Sequence, residues 1–113
     1  MAKFMNKDSQ IINALTIDVE DYFQVSNFER IVKNGEWDRY ESRVVDNTLK
    51  ILDALSIANA KATFFILGWT AERYPELVKK ISAFGHEIAS HGYSHRLIYK
   101  QSKDEFKKDR LGD

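Results

Sequence analysis

The sequence predicts an α/β fold, parallel strands joined by crossover helices, and three observations predict it. Short runs suited to strands recur at residues 11–17 (IINALTI), 62–67 (ATFFIL) and 86–90 (HEIAS), the first two of them apolar. Apolar residues at helical spacing fill the gaps between them, and a helix-start signature follows the third run. Strand, helix, strand, helix, strand, helix is the order that builds a parallel sheet with crossover helices.

Residues 11–17 read as a buried strand because the run is β-branched and stops abruptly at Asp18. Residues 22–43 mix aromatics with charges around Gly35, the composition of a long structured loop with one short helix. From Val44 the spacing turns helical, with Val45, Leu49, Leu52 and Leu55 or Ser56 on one side and Lys50 and Asp53 on the other. Residues 62–67 are continuously apolar, as in a strand covered on both faces, and Gly68 ends them. Pro75 suits a first helical turn. Leu77, Val78, Ile81 and Phe84 give that helix an inner face, and Gly85 stands where a left-handed cap belongs. Residues 86–90 form the third strand. Ser102 and Glu105 have capping-box spacing, so a last helix starts there.

A chain of 113 residues permits one small domain, and 43% apolar residues can supply its core. Seventeen basic and 17 acidic residues cancel, so neither nucleic acid nor an anionic membrane is indicated as a partner. The interleaved charges of residues 100–110 read as a solvated helix face. Without cysteine there is no disulfide, thiolate ligand or thiol nucleophile, and any metal must be held by His, Asp or Glu. No apolar run approaches the ~20 residues that span a bilayer. The polar lead, residues 1–10, lacks the apolar stretch of a secretory signal, so the expected location is the cytoplasm.

In folds of this kind the chemistry gathers at the carboxyl ends of the strands. Two clusters fall there: Asp18, Glu20 and Asp21 after the first strand, and His91 and His95 after the third. Two imidazoles four residues apart project to one side if the segment turns helically, and they can then share a metal. The pair alone is a weak signal, and it lacks the central Glu of the H-E-x-x-H protease motif. One carboxylate after a strand is an ordinary helix cap. Three in four positions repel one another unless a proton or cation intervenes. A divalent ion would relieve them and leave one carboxylate as a base. His86 opens the third strand, where a structural role is expected.

Residues 15–24 (LTIDVEDYFQ), 62–68 (ATFFILG) and 85–95 (GHEIASHGYSH) together resemble the polysaccharide deacetylases of the NodB-homology class, carbohydrate esterase family 4. Within that family the D-V-E-D-Y-F opening is similar to a subgroup found with bacterial exopolysaccharide gene clusters. The resemblance runs from about Asn13 to Tyr99. It implies that residues 11–113 are the N-terminal part of a distorted (β/α) barrel with its active site at the strand ends. The family's later Arg-Pro motif and late histidine do not occur before Asp113, which implies a partial domain.

The resemblance also implies a division of labour. Asp18 would be the general base, and His91 and His95 would bind a divalent metal, zinc. Glu20 is the implied third ligand with Asp21 as the alternative, because Val19 stands where the commonest family motif has a second aspartate. The implied reaction is hydrolysis of the amide C–N bond in N-acetylated polysaccharides or oligosaccharides. Two alternatives stay open: a non-catalytic fragment, and a metal-free relative of the kind that opens ureide rings. Tyr22, Phe23, Phe28, Trp37, Tyr40 and Trp69 lie near the motifs, as groove lining or as packing.

Overall fold

The computed structural model describes residues 3–5, 12–25, 31–95 and 101–111. Phe28, Tyr99 and most of the polar lead lie outside them. The chain opens with a small antiparallel pair, β1 (Lys3–Met5) and β2 (Ile12–Ala14), in which Phe4 faces Asn13. It continues through β3 (Thr16–Val19) and, among the described residues, the 3₁₀ turns Tyr22–Gln24 and Asn34–Arg39, into α1 (Val44–Ile57). Then follow β4 (Thr63–Ile66), α2 (Gly68–Arg73), α3 (Pro75–Ala83), β5 (Glu87–Ser90) and α4 (Lys103–Leu111).

The expected α/β architecture is present. β3, β4 and β5 form a parallel sheet in that order, with Thr16 opposite Thr63 and Thr63 opposite Glu87. The central strand is the most apolar, because a parallel strand covered on both faces has no solvent side. Phe64 is wholly buried and Ile66 nearly so. Val19, Val44, Leu52, Leu55, Leu77 and Ile81 close over it from β3, α1 and α3. Each such side chain contributes about 1.5–3 kcal/mol on burial.

The first strand differs from its reading. Residues 11–17 are not one buried strand: Ile12, Asn13 and Ala14 of β2 are all exposed, and the sheet begins at Thr16. Pairing with β4 sets this boundary, since the Thr63 N–H donates to the Leu15 carbonyl at 3.0 Å. Strand alternation then turns Val19 into the core and leaves Asp18 exposed. Asp18 therefore lies inside the strand rather than after it. In α1 the deepest line is Val44, Thr48, Leu52 and Leu55, with Val45 and Leu49 half-buried beside it. β4 stops at Ile66, and Gly68 begins α2, a six-residue helix too short to show periodicity.

Other expectations hold. Pro75 starts α3, and Gly85 after it has φ +88°, a left-handed cap that other residues adopt only with strain. Ser102 and Glu105 exchange the two hydrogen bonds of a capping box, at 3.0 and 3.1 Å. His86 is 7% exposed, accepts the Ala62 N–H at Nδ1 (3.1 Å) and packs on Phe64, a structural role. Among the described residues no helix is long and apolar enough to cross a membrane.

Candidate metal centre

Strand register decides which side chains can meet. Val19, Ile66 and Ser90 lie side by side, so the next residues, Glu20, Leu67 and His91, leave the sheet in one row. With strands about 4.8 Å apart, Glu20 and His91 start roughly 10 Å from each other. They must reach toward one another across the end of β4.

That exit is kept low. Leu67 turns into the core, and α2 starts at Gly68. The loop of residues 91–95 crosses directly above: the Gly68 N–H donates to the Gly92 carbonyl (2.8 Å) and the Trp69 N–H to the Tyr93 carbonyl (3.2 Å). A Cβ on Gly68 would stand 2.5 Å from Tyr93 Cδ2, so only glycine allows the loop to pass. The Tyr93 hydroxyl donates to Glu72 Oε2 at 2.5 Å, and this bond to a carboxylate holds the phenol above its ordinary pKa. The His91 N–H donates to the Ile66 carbonyl (3.1 Å), extending the sheet ladder by one step.

The helical turn expected between His91 and His95 does not form. Its backbone groups are engaged with β4 and α2 instead, and the chain reverses through two left-handed residues, Gly92 (φ +72°) and His95 (φ +58°). The rings still converge, with centroids 4.9 Å apart and planes at 88°.

Glu20 completes the group. Its Oε2 stands 3.1 Å from His95 Nε2 and 3.6 Å from His91 Nδ1. One ligand atom from each of the three residues lies within 4.8 Å of the others. Two donors bound about 2.0–2.1 Å from one ion at tetrahedral angles stand roughly 3.3 Å apart, so these spacings fit a shared cation. The buried atoms Glu20 Oε2 and His91 Nδ1 have no hydrogen-bond partner among the described residues, nor does His95 Nδ1. A buried polar atom left unpaired costs about 1–3 kcal/mol, which a bound cation offsets for the atoms it contacts. Two imidazoles and a carboxylate also suit a borderline divalent ion and leave positions for water. Glu20, His91 and His95 could thus hold a metal.

Asp21 is not brought to the imidazoles. It is 2% exposed, and its oxygens accept the Ser42 hydroxyl (2.6 Å) and the Arg43 N–H (2.7 Å). Its own N–H donates to Gln24 Oε1 at 2.6 Å. The carboxylate ties the turn after β3 to the start of α1. Nothing in the sequence marked Ser42 and Arg43 as its partners. Asp18, opposite Phe65 in the sheet, lines a cleft of about 230 Å³ with Glu20, Tyr22, Arg43 and Asn47.

The aromatics divide in two. Phe23 and Trp37 are buried with Val32, and Tyr40 and Trp69 pack against them. Tyr22 is 42% exposed at the cleft, with the Arg43 guanidinium 5.1 Å from its ring centre.

Comparison with known proteins aligns with this geometry. Residues 37–111 match the family model of the polysaccharide deacetylases, a span that holds both loop histidines and begins after Asp21. The chain is 50% identical over 60 residues to a peptidoglycan-N-acetylglucosamine deacetylase of Bacillus cereus, covering 53% of this chain and 22% of that protein. It is 44% identical over 55 residues to the peptidoglycan-N-acetylglucosamine deacetylase PgdA of Listeria monocytogenes, covering 49% of this chain and 12% of that protein. The solved peptidoglycan deacetylase PdaC of Bacillus subtilis superposes with a TM-score of 0.63 at 27% identity, over 88% of this chain and 38% of that one. The chain spans well under half the length of each of these relatives.

Proposed function

The chain belongs to the polysaccharide deacetylase family, and on that premise we propose that it carries the metal-binding part of an enzyme that removes N-acetyl groups from polysaccharide amino sugars. The observation that supports this most is the meeting of Glu20, His91 and His95, with Glu20 Oε2 and His91 Nδ1 buried and without a hydrogen-bond partner among the described residues. In this reading those three residues hold a zinc ion. Bound there, the ion supplies Lewis-acid polarisation of the acetyl carbonyl and acidifies a water molecule.

The remaining work falls to the chain's own side chains. Asp18 stands in β3 two residues before Glu20, on the same side of an extended segment, and lines the same cleft. It takes the proton from the attacking water as general base. Tyr22, exposed along the cleft, offers an aromatic face to a sugar ring. The relatives named above act on peptidoglycan, while the D-V-E-D-Y-F opening resembles proteins of exopolysaccharide clusters. These two polymers are the substrates to compare.

The test is acetate release from both polymers by a protein containing this chain, with and without zinc. Asp18→Asn should lower the rate by about 10²–10⁴-fold while zinc stays bound. Unchanged turnover would remove Asp18 from the base role. A metal-free mechanism accounts less well for the unpartnered Glu20 and His91 atoms.

A further inference from the structure

We propose that Asp109, on α4, is the positioning residue that holds the second half of the histidine loop in its ligand geometry; this rests on reading Glu20, His91 and His95 as a metal centre. Residues 91–93 are anchored from the β4–α2 side, through Ile66, Gly68, Trp69 and Glu72. The next residue is anchored from elsewhere. Asp109 Oδ1 accepts the Ser94 N–H at 2.7 Å and also the Ser94 hydroxyl. Its Oδ2 lies 3.3 Å from where a Cβ on Gly92 would stand, so the carboxylate spans the loop.

Ser94 immediately precedes His95, which sits at φ +58°. Left-handed backbone is unfavourable for a residue with a side chain, and it persists only where the surroundings impose it. Two hydrogen bonds donated by the preceding residue to one half-buried carboxylate provide such a constraint. α4 itself is a polar helix, KDEFKKDRL, in which Phe106 and Asp109 are half-buried among the side chains described. Its docking and the loop's conformation are therefore coupled through Asp109. When α4 is seated, the second imidazole is preset toward Glu20. When the clamp is cut, His95 is free to relax out of the left-handed region, and the cation must reorder it on binding.

The test uses the 113-residue chain, zinc as the probe, and two readouts: affinity by chelator competition, and hydrogen exchange of the Ser94 amide without metal. Asp109→Ala should weaken zinc by about 10–100-fold, the range of outer-shell partners, and should speed Ser94 exchange. Asp109→Asn keeps an acceptor oxygen and should stay near the wild-type affinity. Asp104→Ala, on the exposed first turn of the same helix, should change neither readout. Equal losses in the Ala and Asn variants would reduce the effect to charge and overturn the proposal, as would wild-type affinity in Asp109→Ala. A wild-type chain that takes up no zinc would sink the metal reading alone. Unchanged Ser94 exchange in Asp109→Ala would sink the clamp alone.

Discussion

The two ends of β5 each carry histidine, and their surroundings are opposite. At the amino end His86 is buried with its need met, since Nδ1 accepts a backbone N–H and the ring packs on Phe64. At the carboxyl end His91 and His95 are half-buried, with Nδ1 atoms unpartnered among the described residues and a carboxylate oxygen set between the rings. The same side chain on the same strand is a finished part of the core at one end and an open valence at the other. Satisfied hydrogen bonding, together with deeper burial, sets the structural histidine apart from the candidate ligands.

The sharpest break of this contrast is substitution at the open end. His91→Ala or His95→Ala should abolish stoichiometric zinc binding, read by metal content after dialysis. The apo fold should lose little, because an unpaired buried atom is removed along with the ring. Retained zinc would overturn the ligand assignment.

At the closed end the signs reverse. His86→Ala should cost about 2–3 kcal/mol in urea unfolding, through the lost hydrogen bond and packing, yet leave zinc stoichiometry intact. Burial, helped by the nearby Lys61 charge, holds the His86 imidazole below its ordinary value near 6.5. The unfolded chain then binds the proton more readily, so this contribution is present above about pH 6.5 and lost as pH falls through the lower folded value. His86→Gln should flatten that decline in urea midpoints between neutral and mildly acidic pH. A decline unchanged by the substitution would assign it to other groups.

The smallest effect lies one residue earlier. Gly85→Ala must hold φ +88° with its new Cβ 3.0 Å from the movable Lys61 Nζ. About 1 kcal/mol of stability should be lost, with zinc binding unchanged. A larger loss that also released zinc would show that the two ends of the strand are not independent.

Much of this was legible in the sequence, for identifiable reasons. α1, α3 and the central strand carry enough apolar residues for their period to show, and Pro75, Gly85 and Ser102 mark boundaries through local backbone chemistry. The division of residues 11–17 was hidden, because an apolar run does not reveal which of its residues a partner strand will pair. Which of Glu20 and Asp21 meets the imidazoles needed coordinates for a similar reason. Both carboxylates follow β3, and only the position of Ser42 and Arg43, some twenty residues later, engages Asp21 elsewhere. The loop's left-handed turns at Gly92 and His95 depend on how closely it must cross Gly68, a tertiary fact without a local signature.

The row formed by Glu20, Leu67 and His91 has a mechanical consequence. Its outer members belong to the two edge strands of the sheet, and the middle member turns away into the core. An ion held at this end would act as a rivet joining β3 to β5 over the top of β4, bypassing the strand that already binds both. By mass action its binding would add to the stability of the folded chain. The supply of metal would then govern how long these edges stay together as well as whether the chemistry can run.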